Sequence, residues 1–141
     1  MKRAVLFLAL CLAGCHAAGT WEDDSKNFER ILRVPQPKEV AVVHSRFWRS
    51  PHWSYEFEYF IQIQHNDDFR RRLFEHNKLK TPNTDDEHKR ITDFFQEKPK
   101  WFIPRPLEQY EVWILSDEPG SHFRIFIDRD TGDIFASDWS V

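Results

Sequence analysis

One long alternation of apolar and polar side chains restricts the fold of this chain more than any other feature. Between Trp53 and Gln64 all six odd-numbered positions are aromatic or branched aliphatic, whereas five of the six even-numbered positions are polar. Successive side chains of a β-strand point to opposite sides of the sheet, so this period of two predicts a strand with one buried and one solvated face. A chain that contains such a strand requires a sheet, with other elements covering the buried face.

Turn residues and apolar periods divide the rest of the chain into short helices and strands. The predicted elements, in chain order, are a helix at 23–33, strands at 39–48 and 53–64, helices at 67–76 and 85–97, and strands at 110–116, 123–128 and 133–139. Asn66 and Thr84 are the predicted N-caps of the two central helices. The expected fold class is α+β: an antiparallel sheet of about five strands, built from a β-hairpin, two helices and a three-stranded meander, with the helices packed on one face.

The last three predicted strands carry large apolar side chains on both faces. In the first of them Val112 and Ile114 point to one side, and Trp113 and Leu115 point to the other. Large exposed apolar patches mark interfaces, so the second face of these strands needs a cover. We expect the N-terminal helix at 23–33 to supply it; a partner protein or a second copy of the chain is the alternative.

The first fifteen residues form a separate pattern. Met1-Lys2-Arg3 is a short basic start, and residues 4–13 are an uncharged apolar run that is too short to span a bilayer. The run ends in Leu12-Ala13-Gly14-Cys15, and the combination resembles the signal peptide and lipobox of bacterial lipoproteins. This resemblance covers residues 1–15 only. It implies that a signal peptidase cuts before Cys15, which then carries the lipid.

The resemblance also implies where the protein is located. A lipid on Cys15 would hold the mature chain to a membrane of the bacterial cell envelope, because each buried CH₂ group contributes about 0.8 kcal/mol. The residue after the cysteine is His16 rather than the aspartate associated with retention in the inner membrane. The implied location is therefore the outer membrane, facing the periplasm.

Cleavage before Cys15 changes the composition of the chain. The predicted divisions are a signal peptide at 1–14, a lipidated cysteine with a polar tether and a short helix at 15–37, and a single α+β domain at 38–141. The mature chain has 127 residues with 18 basic and 23 acidic side chains, a net charge of −5. Cys11 is removed and Cys15 is blocked, which excludes disulfides and thiol catalysis in the monomer. The acidic balance argues against nucleic acid as a partner.

Sequence motifs for phosphate or metal chemistry are missing. The four glycines do not fall in a phosphate-binding spacing, and the seven histidines form neither an HxH nor an HExxH pattern. Residues 128–133 resemble a calcium loop, but Asp133 and Trp139 occupy the sixth and twelfth positions, where an EF-hand has glycine and glutamate. We expect a type I turn there, with Gly132 in the left-handed conformation, and no metal or organic cofactor.

Glu56 and Glu58 form a carboxylate pair with a spacing that suits catalysis. Two residues apart on one strand face, they are separated by about 6.6 Å, a distance that some glycosidases use. Polar neighbours are also the ordinary occupants of a solvated face, where both carboxyl groups titrate normally. We expect solvated side chains here, and a small envelope hydrolase that uses carboxylate or histidine chemistry is the alternative.

Aromatic side chains interleaved with basic ones are the stronger functional signal, because tryptophan and arginine are enriched at interaction hot spots. The candidate binding residues lie around the predicted hairpin turn, in the rigid loop at 101–106 and on the second face of the last strands: Arg46, Trp48, Arg49, His52, Trp53, Trp101, Phe102, Trp113, Phe126 and Trp139. A structural alternative is that Trp48 and Trp53 clasp each other across the hairpin.

The sequence therefore predicts a binding protein rather than an enzyme. We expect a membrane-anchored envelope lipoprotein that is held by Cys15 and binds an envelope protein, peptidoglycan or another polymer through an aromatic surface. A purely structural lipoprotein without a specific ligand is a further alternative, and the oligomeric state stays open.

Overall fold

The structure is a computed structural model that describes residues 18–141, so Cys15 and the leader lie outside it. The strands in this range are β1 (Gly19–Glu22), β2 (Val42–Arg49), β3 (Phe57–Ile63), β4 (Leu79–Lys80), β5 (Tyr110–Leu115), β6 (Arg124–Asp128) and β7 (Ile134–Ser140). The helices are α1 (Asn27–Leu32), α2 (Asp67–His76) and α3 (Asp85–Arg90), and a 3₁₀ turn at Leu107–Gln109 precedes β5. None of the helices within residues 18–141 is long and apolar enough to cross a bilayer.

The strands form one antiparallel sheet with the order β1-β2-β3-β7-β6-β5-β4. An antiparallel sheet with short helices agrees with the predicted class, but the predicted count of about five strands is wrong because two short edge strands were missed. β1 pairs with β2 through residues predicted as polar tether, and β4 pairs with the end of β5 from a predicted loop. Both are too short to show an alternation, and they form because the edge of a sheet offers unpaired backbone groups.

The alternation at 53–64 correctly predicts strand β3, but residues 53–56, which were also predicted as strand, lie outside it. Phe47 of β2 faces Tyr59 of β3 across the hairpin. Residues 50–56 form a loop rather than a strand, closed by a hydrogen bond from Ser50 N to Glu56 O at 3.1 Å. The alternating side chains of residues 53–56 therefore lie in the connection between the two strands.

One face of the sheet, which we call face A, carries the odd-numbered side chains of β3 and is covered by α1 and α2. Phe28 of α1 and Phe69 of α2 are both buried here, with ring centroids 6.0 Å apart. Helix α2 begins as predicted, since Asn66 Oδ1 accepts a hydrogen bond from Phe69 N at 2.8 Å. The helices pack on branched side chains of the central strands, namely Ile61, Ile63, Ile125, Ile127 and Ile134.

The opposite face, face B, is covered by residues 91–109. Phe102 is 0 % exposed, and its ring packs edge-on against Phe126 and Phe135 of the sheet. Two predictions are therefore wrong. The covering elements are not confined to one face, and α1 lies on face A instead of covering the second face of the last strands. The cover of face B could not be predicted locally because side chains of distant strands hold it.

Candidate binding surface

An open apolar groove lies between α1 and α2 on face A. Its volume of about 560 Å³ is within the range of small-ligand sites. The groove forms because α1 is short: the chain turns at Arg33, which has a φ of +60°, and the prolines that follow prevent the helix from continuing. Besides Tyr59 of β3, the groove is lined by Phe28, Ile31 and Leu32 of α1, Val34, Pro35 and Pro37 after it, and Phe69 and Leu73 of α2.

Helix α2 contributes one cationic side chain and one imidazole to the groove lining. Arg72 and His76 lie one turn apart, and His76 Nδ1 is 2.8 Å from the carbonyl oxygen of Arg72. Glu39 Oε1 lies 3.3 Å from Arg72 Nη2 and partly neutralises it. An exposed ion pair of this kind contributes about 0–1 kcal/mol and leaves other guanidinium N–H groups able to donate to a second carboxylate. The groove therefore combines an apolar body with a cationic edge.

The loop at 50–56, which we call the tip, carries the most exposed aromatic side chain of the described residues. Trp53 is 106 % exposed and Tyr55 is 41 % exposed. Two guanidinium groups flank Tyr55: Arg49 Cζ lies 4.5 Å and Arg33 Cζ 5.7 Å from its ring centroid. Arg33 also donates a hydrogen bond to the Tyr55 hydroxyl. These contacts hold Tyr55 in place, while Trp53 stays in solvent.

A row of aromatic rings connects the tip with the groove. The ring centroids of Tyr55 and Phe57 are 5.4 Å apart, and those of Phe57 and Tyr59 are 6.2 Å apart. Tyr59 lines the groove, so the aromatic surface runs from the tip to the groove along face A. The groove escaped prediction because two helices of modest length and a proline pair give no local signal of the space between them.

Asp138 is an unexpected titratable group beside this row. It faces Tyr59 across the β3–β7 pair, and burial raises the pKa of its carboxyl group to about 6. Burial, with the nearby Asp138 charge, raises the pKa of the Tyr59 hydroxyl well above its usual value. In the sequence Asp138 looks like an ordinary polar residue near the end of a strand, so nothing indicated a partly desolvated carboxyl.

The predicted hairpin patch is divided between the tip and face B. Arg49 ends β2 directly before the tip, and His52 and Trp53 lie in the tip. Trp48 instead points to face B, where its ring packs on that of Phe95 with centroids 5.5 Å apart. The structural alternative of a clasp between Trp48 and Trp53 is therefore wrong, because the chain leaves the strand at Ser50 and Trp53 lies in solvent.

Two side chains from the hairpin hold the loop that covers face B. Glu58 accepts hydrogen bonds from Phe95 N and Gln96 N, both at 2.9 Å. Arg46 Nη2 donates to the carbonyl oxygen of Glu97 at 2.6 Å. In a longer helix α3 these backbone groups would bond within the helix. Their hydrogen bonds to Glu58 and Arg46 satisfy them instead, and the same bonds hold the loop against the sheet. Arg46, a predicted binding residue, therefore has a structural role.

The last two strands complete the same arrangement. Arg124 Nη2 and Trp139 Nε1 both donate to the carbonyl oxygen of Asp93, at 2.7 Å and 2.9 Å. The ring of His122 stacks on that of Trp139 with centroids 3.4 Å apart. Burial lowers the pKa of Arg124 to about 10, against the opposing charges of nearby carboxylates. We call the four side chains that bond to residues 93–97 the clamp: Arg46, Glu58, Arg124 and Trp139.

The predicted carboxylate pair is split between two environments. Glu58 is 2 % exposed, and burial raises its pKa although the backbone N–H groups of the clamped loop oppose the shift. Glu56 lies at the tip, where hydrogen bonds from Ser50 and Ser54 lower its pKa. The expectation that both carboxyl groups are solvated and titrate normally is therefore wrong. Both oxygens of Glu58 are occupied by backbone donors, which makes the pair unsuited to catalysis.

The other predicted binding residues are largely buried. Phe102 and Phe126 are 0 % exposed, so they stabilise the core of face B and are inaccessible to a partner. Trp113 is half-buried on face A, with its ring centroid 4.9 Å from that of Phe74. Trp101 is half-buried at the edge of face B, beside Phe102. The aromatic excess of the sequence thus serves mainly to build two cores.

The predicted turn at 128–133 is confirmed. Gly132 has a φ of +77°, and its N–H donates to Asp128 O at 2.8 Å. The Asp128 carboxylate accepts from the backbone N–H groups of Asp130 and Thr131 and pairs with Arg105, so protein donors already occupy it. Across residues 18–141 no three His, Cys, Asp or Glu side chains come together as a metal-binding group.

Two accessible features of the described residues combine apolar and basic side chains: the groove, with its cationic edge, and the tip with the arginines beside it. Such an arrangement can bind a group that is both apolar and negatively charged. Comparisons of the chain with protein-family models, with curated protein sequences and with solved structures give no match. Function is therefore inferred from the geometry of these two features.

Proposed function

We propose that this protein is a lipoprotein of the bacterial cell envelope, anchored by a lipid on Cys15 in the outer membrane and facing the periplasm, and that it binds an envelope protein through the groove. The anchor is supported by the lipobox pattern at Leu12-Ala13-Gly14-Cys15. The binding role is carried by one observation, the apolar groove of about 560 Å³ between α1 and α2.

The chemistry of the groove favours a particular partner. Arg72 is the cationic side chain in its lining, and the imidazole of His76 lies one helical turn away. An apolar protein segment that carries a carboxylate would bury its apolar atoms against Leu32 and Leu73 and place the carboxylate near Arg72. Each additional buried Å² of apolar surface contributes about 25 cal/mol. A glycan such as peptidoglycan is a poorer match, because this lining offers few polar partners for its hydroxyl groups.

A variant at the rim of the groove tests binding with a defined probe, the anionic apolar dye 1-anilinonaphthalene-8-sulfonate. Val34 lines the groove and is 51 % exposed. We expect wild-type protein to bind one dye molecule and Val34→Asp to bind it at least about tenfold more weakly, a loss of about 1.4 kcal/mol, because the new carboxylate repels the anion. Fluorescence titration measures both constants.

Val43→Asp is the matched control, since Val43 is a 43 % exposed valine outside the groove. It should bind the dye as the wild type does. Equal binding by all three proteins, or none by the wild type, would contradict the proposal.

The partner itself is tested by photocrosslinking in cells from position 34, with position 43 as the control. We expect the crosslinked segment to be apolar with at least one Asp or Glu, and a synthetic peptide of that segment to compete with the dye. A crosslinked segment that is basic, or a peptide that does not compete, contradicts the assignment of the groove.

A further inference from the structure

We propose that the tip docks on the anionic surface of the membrane that holds the Cys15 lipid, so that the protein touches the membrane at two points. This inference rests on the proposed lipidation of Cys15 and adds an orientation to it. Its occupant is the lipid headgroup surface, distinct from the protein segment proposed for the groove.

The pairing of β1 brings the start of the described chain to the tip. Gly19, the first residue of β1, is paired with Arg49, the last residue of β2. The tip follows directly after Arg49. Gly19 is the fourth residue after Cys15. An extended chain spans at most about 3.6 Å per residue, so a lipid on Cys15 would be attached within about 14 Å of Gly19. A lipid on Cys15 therefore brings the tip to the membrane surface.

The side chains of the tip suit a headgroup region. Trp53 is 106 % exposed, and Tyr55 beside it is 41 % exposed. Tryptophan and tyrosine favour the boundary between water and lipid, because an apolar ring sits among acyl chains while its N–H or O–H reaches polar headgroups. Exposing the apolar ring of a tryptophan to water is unfavourable in free energy, and insertion at the boundary between water and lipid removes the ring from water.

The charges at this end of the sheet are separated in a way that orients the molecule. Arg33 and Arg49 both lie within 6 Å of the Tyr55 ring of the tip. The β5–β6 connection emerges at the same end and carries Asp117 and Glu118, of which Asp117 pairs with Lys78 at 3.4 Å. Three strand spacings, about 14 Å, separate these two corners. An anionic surface attracts the basic aromatic corner more strongly than the other one, where Lys78 and Arg90 offset the two carboxylates.

The nearest opposing charge at the tip is already engaged. Glu56 Oε1 accepts a hydrogen bond from Ser54 Oγ at 2.9 Å, and Glu56 Oε2 lies 3.7 Å from His52 Nδ1. The pKa of Glu56 is lowered by its hydrogen bonds, so its carboxylate is ionised and offsets one arginine. Arg33, Arg49 and Glu56 together therefore carry a net positive charge. A basic side chain near an anionic surface strengthens binding about fivefold, so the two arginines add to the lipid anchor without replacing it.

A single fluorophore tests this contact on the lipidated full-length protein. Mature protein is expected to have no free thiol, so Trp53→Cys provides one attachment point for a polarity-sensitive dye. Gln64→Cys is the matched control, because Gln64 is exposed just beyond the other end of β3. Seven strand residues place it about 23 Å from Phe57, the residue that follows the tip. Both proteins are incorporated into vesicles of phosphatidylethanolamine with phosphatidylglycerol.

We expect the dye at position 53 to shift to the blue and to become several-fold less accessible to aqueous iodide, whereas the dye at position 64 stays as in solution. The shielding should fall several-fold when phosphatidylcholine alone forms the vesicles. Equal iodide quenching at both positions in protein that mass spectrometry shows to be lipidated would overturn tip docking and leave the lipoprotein proposal intact. Absence of the lipid would overturn both.

Two further outcomes are decisive. Shielding of position 53 that is the same on anionic and on phosphatidylcholine vesicles would overturn the assignment to an anionic surface. Shielding in cell envelopes but not on protein-free vesicles would overturn membrane docking and assign the tip to a protein partner.

Discussion

Glu58 shows how a residue that looks solvated in the sequence becomes a structural centre. It occupies an even-numbered, predicted wet position of the alternation, yet it is 2 % exposed and accepts two backbone hydrogen bonds. The alternation correctly predicts which face Glu58 is on. It could not predict that residues 93–97 would cover that face, because this depends on side chains from strands far apart in the sequence.

The first residue-level prediction concerns Glu58→Gln. A glutamine offers one acceptor oxygen in place of two, so one backbone N–H of the loop loses its partner and Arg124 loses a nearby negative charge. An unpaired buried polar group costs about 1–3 kcal/mol, and we expect the free energy of unfolding to fall by about 2 kcal/mol. Urea denaturation measures the change. Glu56→Gln at the exposed tip is the control and should change stability by less than about 0.5 kcal/mol.

The second concerns the pH dependence that Asp138 confers. Its pKa in the folded protein, about 6, is raised from 3.8 by burial, so ionisation of this group costs more in the folded than in the unfolded chain. Its contribution to stability is therefore greatest at low pH and is lost as the pH rises through about 6. The difference in free energy corresponds to at most about 3 kcal/mol.

Asp138→Asn removes this titration while keeping an acceptor for Trp139 N. We expect the free energy of unfolding of the variant, relative to wild type, to increase between about pH 4 and pH 7 by up to about 3 kcal/mol. Denaturation curves over this range measure the difference. Parallel pH profiles for the two proteins would show that Asp138 titrates normally in the folded state.

At the scale of elements, the sequence correctly predicts those helix ends that are determined by contacts between neighbouring residues. Helix α2 begins and ends as predicted because Asn66 caps it and its own acidic first turn supports it. Helix α3 begins as predicted at its Thr84 cap but ends at Arg90, because the clamp draws the following backbone onto the sheet. Strand β1 was also missed because it depends on a distant contact: its partner, β2, lies more than twenty residues away.

The element-level prediction tests the cap of α2. Asn66 Oδ1 accepts from Phe69 N at 2.8 Å, and Asn66 Nδ2 donates to Glu39 O at 3.0 Å. Asn66→Ala removes both bonds and should lower the free energy of unfolding by about 1–2 kcal/mol. Asn66→Asp keeps the cap but not the bond to Glu39, so its free energy of unfolding should lie between those of the wild type and Asn66→Ala. Circular dichroism during thermal unfolding measures both, and an unchanged melting temperature in Asn66→Ala would contradict the capping role.

For the whole molecule, the sheet with a core on each face explains most of the aromatic excess. Phe102 and Phe126, which were predicted as binding candidates, are buried in the core of face B. Basic and aromatic side chains alternate in the sequence around Arg49 and Trp53, so these residues were candidates, although residues 53–56 were predicted as strand and form a loop. The groove could not be predicted, since it is the space that α1 and α2 leave between them and has no residue pattern of its own.

The groove and the tip have their proposed roles only if the protein is held at a membrane. Intact mass spectrometry of protein purified from bacterial membranes tests this claim most directly. We expect a chain that begins at Cys15 and carries the added mass of several acyl chains, and we expect Cys15→Ser to leave the membrane fraction. A mature chain with an unmodified Cys15, or a Cys15→Ser variant that stays with the membrane, would contradict the account.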